Sequence, residues 1–186
     1  MRIAAQQLAR LPPIELDRRM QSGVRPRIAA LAGWEFQGFN VPSVTAVLGF
    51  QKFKKGFYLR DGEEAGAGRC HGYNVFVEQN DLHQPWLPRP SEGMPKRHGF
   101  YDVYPASESP KPALYPNGLS IDYGVEQNSI VNPERLIRDY LVQPDPADPD
   151  VYLGFATIAL GFTTVRFGFF ILDRDQPPIA FVPPPK

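Results

Sequence analysis

The sequence predicts a mainly β domain of the α+β kind. It reads as an antiparallel barrel or strongly curved sheet, with short helices at the start and one helix before a C-terminal hairpin. Three observations predict it. Short runs of alternating aromatic and β-branched residues recur along the chain, the pattern of strands with one face buried. Those runs are punctuated by 21 prolines and 16 glycines among 186 residues, and aromatics make up 12%, so short strands joined by turns are expected. No helix follows each strand, which argues against a doubly wound parallel sheet.

The elements follow in order. Residues 1–10 carry Ile3, Leu8 and several alanines and read as a short helix stopped by Leu11-Pro12-Pro13. Pro13 opens a second helix over 14–20, ended by Ser22-Gly23, and Pro26 precedes a third over 27–31. Strands are read at 34–40, 52–60, 70–79, 97–104 and 118–123. Residues 42–48 are ambiguous, with Ser43 able to cap a short helix. The Pro-rich connection over 80–97 is long enough to be read as a lid. Asn132-Pro133-Glu134 is the best helix start in the chain, with Leu136, Ile137, Tyr140 and Leu141 at helical spacing behind it. Strands at 151–160 and 163–173 around Gly161-Phe162 form the clearest hairpin. The domain plan is therefore a helical segment 1–32, a barrel 33–175 and a Pro-rich tail 176–186.

Composition narrows the function. Lys plus Arg and Asp plus Glu are 20 each, so no basic field marks a nucleic-acid partner. The start has no apolar leader, and the longest uncharged stretch, 151–165, is too short to span a bilayer as a helix. One cysteine, Cys70, excludes an internal disulfide and suits a reducing compartment, so a soluble cytoplasmic protein is expected. There is no P-loop, no G-x-G-x-x-G and no G-x-S-x-G, so no cofactor is expected. The three histidines lack ligand spacing, and no metal site is expected. Asp145, Asp148 and Asp150 read as an Asp/Pro turn, not a calcium loop.

Four short segments carry a resemblance. Leu11-Pro12-Pro13 precedes Gly33-Trp34-Glu35-Phe36-Gln37-Gly38, and Leu153-Gly154 and Phe169-Phe170-Ile171-Leu172-Asp173-Arg174 follow late in the chain. This is similar to lipocalin-like (calycin) β-barrels of the bacterial GXWXG type. Such barrels open with a short helix and then a Gly-x-Trp strand, whose tryptophan closes the barrel base. Here Trp34 stands one position early, so the resemblance implies that Phe36 takes the tryptophan's packing place. The resemblance implies a barrel with an internal cavity for an apolar or aromatic ligand; it carries over no catalytic residue.

The candidate ligand-lining residues are Phe36, His71, Tyr73, Tyr101 and Arg166. His71 and Tyr73 share one strand face with Val75 and Val77. They are either a polar pair inside an apolar cavity or a solvated strand end. Arg166 interrupts the most apolar hairpin, with Thr164, Gly168, Phe170 and Leu172 as face-mates. It is read as an ion-pair partner of Asp102 or Asp122, or as an anion anchor in the cavity. Asp102 and Asp122 are either solvent-facing or buried acids. Cys70 is read as an inert buried thiol. Lys96-Arg97-His98 is a basic strand entry able to meet an anion at a barrel mouth, and two of Lys52, Lys54 and Lys55 are read as edge protection.

The leading expectation is binding of a small hydrophobic or aromatic molecule inside the barrel. The alternatives are an isomerase or cyclase using Asp102 or Asp122 with His71, and a structural subunit that pairs with a partner or with itself through the 151–172 hairpin.

Overall fold

The computed structural model describes residues 1–41, 51–160 and 163–178. Among the described residues three helices, α1 (Ile3–Ala9), α2 (Pro13–Ser22) and α3 (Ile28–Leu31), precede eight strands. These are β1 (Trp34–Asn40), β2 (Lys52–Tyr58), β3 (Cys70–Val75), β4 (Arg97–Pro105), β5 (Leu119–Asp122), β6 (Ile137–Val142), β7 (Val151–Leu160) and β8 (Thr163–Arg174). Each strand pairs with its sequence neighbours and β1 pairs with β8, which closes an antiparallel up-and-down barrel. Closure removes every free sheet edge. The short helix considered near 42–48, the turn at 161–162 and most of the tail, 179–186, lie outside the described residues.

The strand count is eight, not seven, because the predicted helix after Asn132 resolves differently. Its start holds: Pro133–Leu136 is a single 3₁₀ turn, capped by Asn132 Oδ1 accepting from the Glu134 backbone N–H at 2.9 Å. From Ile137 the chain is strand β6, paired with β5 and β7. The apolar residues that mimic helical spacing are buried on both faces of a central strand. Leu141 points into the barrel, while Tyr140 and Val142 pack outside it. Without β6 the sheet could not close, so tertiary pairing overrides the local helix signal.

The barrel interior is set by alternation. Phe36, Phe57, Tyr101, Val103, Ile121, Leu141, Tyr152, Phe170 and Leu172 form one buried cluster inside it. Ile28 and Leu31 of α3 join this cluster and plug one end. Arg174 reinforces the plug: it lies over Trp34 at 4.7 Å and donates to the Ala30 carbonyl at 2.7 Å. Phe36 sits at this plugged end, its ring edge-on to Phe57 and Tyr152, both at 5.5 Å.

The two-sided apolar character of the β7–β8 hairpin is explained by the first two helices. Leu8, Leu16 and Met20 pack on Val151, Leu153, Phe155 and Ile171. The outer cover of this part of the hairpin is thus supplied by the chain itself, while Leu160 and Val165 farther out stay exposed.

Two β-bulges change the alternation. Gly72 pairs with Tyr101 and Asn74 with His98, so β4 carries one extra residue there. Gly99 provides it, at φ +53°, a left-handed conformation that favours glycine. On β7–β8 the register shifts between Ala156 and Thr157: Ala156 pairs with Gly168 but Thr157 with Arg166. Each bulge turns a side chain to the face opposite the one strict alternation assigns.

Candidate functional site

The end of the barrel opposite α3 is open. It holds a cavity of about 620 Å³. Phe53, Phe167, Phe170, Ile137 and Ala156 supply apolar wall. Asn74, Tyr123 and Asp139 with Lys55 form the polar floor, and His98 and Glu134 stand at the side.

Alternation and pairing bring the floor together. Lys55 of β2 faces Asn74 of β3, and Asp139 of β6 faces Ile121 and Ala156. Lys55 Nζ is 3.3 Å from Asp139 Oδ2 and donates to Asn74 Oδ1 at 3.0 Å and to the Tyr123 hydroxyl. Tyr123 donates in turn to Asp139 Oδ2 at 3.3 Å. The ammonium also sits 4.8 Å from the Tyr101 ring and 5.5 Å from Phe170, a cation–π environment. Burial lowers the Lys55 pKa, against the pull of Asp139. Burial raises that of Asp139, opposed by Lys55. Both shifts run toward the neutral forms, because taking either charge out of water is costly. Burial, with the Asp139 charge beside it, also raises Tyr123 well above the ordinary phenol range.

At the side of the cavity His98 Nδ1 is 2.9 Å from Glu134 Oε1. Its ring stacks on Phe76 at 3.6 Å, with 9° between the planes. The His98 hydrogen bond, opposed by burial, lowers the Glu134 pKa. His98 faces inward only because of the Gly99 bulge.

The five residues expected to line the cavity are distributed differently. Phe36 and Tyr101 do point into the barrel, but they belong to its filled part. Tyr101 donates to the carbonyls of Gly56 at 3.1 Å and Tyr73 at 3.3 Å. His71 and Tyr73 share one face, but it is the outer one. Their register partners Tyr58 and Gly56 alternate with the inward Phe57 and Lys55. Tyr73 is buried there, donating to Glu35 at 2.9 Å. Arg166 is also outside. It pairs with Asp17 at 3.2 Å and lies over Phe155 at 4.9 Å, not with Asp102 or Asp122. The β7–β8 bulge explains the correction: it turns Arg166 outward and leaves Phe167 on the cavity.

Asp102 and Asp122 likewise face outward. Asp122 pairs with Arg138 at 3.0 Å, and Asp102 is half exposed beside His71. The acid–base pair His71–Asp102 therefore forms, at 2.7 Å, but on the outer wall. His71 Nε2 is 3.0 Å from Glu63 Oε1, which ties the 61–68 turn to β3. Only the imidazolium donates from both nitrogens. Burial opposes that form, but the two carboxylates prevail and raise the pKa above 6.5. Glu63 is lowered: burial acts against it, but the Arg60 N–H and His71 outweigh that. The raised imidazole gives stability that is complete below about pH 6.5 and lost as pH rises through the folded value. The Glu63 contribution is present above its unfolded pKa and lost as pH falls through its folded one. The expected result is that His71→Gln removes a decline in stability above pH 6.5. Urea melts from pH 5 to 9 measure it, and an unchanged slope would refute it.

The three β2 lysines protect no edge, since the closed barrel has none. Lys54 pairs with Asp175 at 2.6 Å. Lys52 lies 3.9 Å over Trp86 and donates to the carbonyls of Asp81, Gln84 and Pro85, pinning the start of the long connection. That connection extends the β3–β4 hairpin, with Arg89 N–H donating to Phe76 at 2.8 Å and Lys96 N–H to Arg89 at 2.8 Å. Cys70 is buried inside the barrel, and burial pushes its thiol pKa up. Asp145 and Asp148 accept from local backbone N–H groups, as in a plain turn.

No family model, curated protein or solved structure matches this chain. The cavity and its floor are therefore the basis for any functional assignment. Among the described residues no helix is long and apolar enough to cross a membrane, and no three His, Cys, Asp or Glu side chains are grouped to hold a metal ion.

The residues missed from sequence are Asn74, Tyr123 and Asp139; His98 is read there as part of a basic strand entry at a barrel mouth, and Lys55 only as edge protection or a similar basic cluster. Gly99 was the available signal for His98. Asp139 was hidden by the helix reading; read as a strand, 137, 139 and 141 alternate onto one face.

Proposed function

We propose that the protein binds a small, predominantly aromatic molecule in the open end of the barrel. One observation carries the reading: a cavity of about 620 Å³ with ring-lined walls over a buried polar floor. Such cavities ordinarily hold small ligands, with apolar wall giving affinity and few polar groups giving orientation. The contacts fall to Phe53, Phe170, Ile137, Asn74, His98 and Asp139. Kinship with lipocalin-like barrels of the GXWXG type belongs to this proposal, supported by Phe36 at the plugged end.

The test is native mass spectrometry of the freshly purified protein, beside an Ala156→Trp variant. Ala156 lines the cavity opposite Gly168, so an indole there fills it. A small molecule released by the wild type and absent from a folded variant supports the reading. Equal retention by both, or an unliganded wild type that takes up no aromatic probe, overturns it.

A second reading is favoured by the floor: proton-transfer catalysis of the isomerase or cyclase type. Asp139, Lys55 and Tyr123 lie within reach of one another at the base of the cavity. A buried carboxylate with raised pKa is suited to general acid–base work. A bell-shaped pH–rate profile lost in Asp139→Asn separates it from simple binding.

A further inference from the structure

The floor hydrogen bonds are unequal between the two oxygens of Asp139. Oδ2 receives both contacts, Lys55 Nζ and the Tyr123 hydroxyl, each at 3.3 Å. Oδ1 is buried and has no hydrogen-bond partner among the described residues. Asp139 is 4% exposed. A buried carboxylate oxygen left without a donor is costly and rare. Asp139 is among the residues that line the cavity, the side from which a ligand approaches its carboxylate.

The nearest donors, Lys55 and Tyr123, are committed elsewhere, and Asn74 Nδ2 donates to the Tyr123 hydroxyl at 3.3 Å. A lysine ammonium has three protons. Lys55 directs them at Asn74 Oδ1, the Tyr123 hydroxyl and Asp139 Oδ2. The single Tyr123 proton goes to Asp139 Oδ2. What the floor lacks is a donor, not an acceptor.

Charge narrows the class further. A cationic ligand would meet Lys55, and an anionic one would meet the free oxygen of Asp139. A neutral donor meets neither penalty. Resting on the cavity-binding reading above, we infer that the ligand carries a neutral hydroxyl, on an aromatic or other apolar ring system, that donates to Asp139 Oδ1. Its rings lie against Phe53 and Phe170.

The test compares 2-naphthol with 2-methoxynaphthalene and 2-acetylnaphthalene by calorimetric titration at pH 7. These share one ring system, and only the first can donate. The hydroxyl compound should bind wild-type protein about tenfold or more tightly than either of the others, the scale of a hydrogen bond to a charged group. In the double variant Lys55→Met/Asp139→Val all three should bind alike. Equal or weaker binding of 2-naphthol by the wild type overturns the inference, as does a preference that survives in the double variant. Binding without preference removes this inference and leaves the cavity reading standing. Failure of all three to bind removes both. The wild-type ranking needs no variant, so the absence of a preference overturns the inference even if the double variant does not fold.

Discussion

Replacing Lys55 with methionine should destabilise the fold by about 3–5 kcal/mol, the usual cost of leaving one partner of a buried ion pair alone. Asp139 would keep only Tyr123 as a donor. It would have to protonate or draw water into the floor. Asp139→Val should be comparably severe, because the Lys55 ammonium would face rings and two neutral oxygens. The double variant should lie within about 1–2 kcal/mol of wild type, since an apolar pair has no charge to desolvate. Equilibrium urea denaturation of all four proteins gives the coupling energy directly. If the two single losses simply add in the double variant, Lys55 and Asp139 do not act as a pair. A pair retained at such a cost in burial is more readily understood as part of a site than as a stabilising device.

Gly72→Ala should cost about 2–4 kcal/mol, at the upper end for overpacking. A Cβ at Gly72 would stand 2.0 Å from Tyr101 Cε2 and 2.5 Å from the Gly56 carbonyl oxygen. The ring could swing away only by giving up its hydrogen bonds to Gly56 and Tyr73. The carbonyl belongs to the β2–β3 ladder and cannot yield cheaply. The Tyr101 ring also supports Lys55 from below, so ligand affinity should fall together with stability. Combining Gly72→Ala with Tyr101→Ala should cost less than the sum of the two, because the clash is gone once the ring is gone. Thermal melts and probe titrations of the three variants test this. Full additivity would show that the methyl group clashes with backbone alone.

Much of the fold was legible locally. Prolines and glycines marked the helix ends and turns, and period-two alternation located seven of the eight strands. The eighth was masked because Asn132-Pro133-Glu134 is a true helix start followed by residues that satisfy both periods. Only one turn of helix forms there, since β5 and β7 need a strand between them.

The candidate site was less legible, for a reason that can be located. Face assignment from sequence assumes unbroken alternation, and this barrel breaks it twice. The bulge at Gly99 turns His98 inward, and the one beside Thr157 turns Arg166 outward. His71 and Tyr73 were correctly placed on one face, but a strand lined by Cys70, Gly72 and Asn74 on the other does not announce which side is the interior. Glycine at 72 looks like a weak core position until the Tyr101 ring lying across it is seen.

The amino-acid sequence by itself determined a mainly β architecture, short leading helices, the apolar hairpin and the absence of a basic field, because composition and local periodicity are properties of neighbouring residues. Closure of the sheet, the inward face of each strand, and the meeting of Lys55 with Asp139 were decided only by the tertiary structure. Those two residues are 84 positions apart. Their pairing depends on the register around the barrel, which no local pattern records.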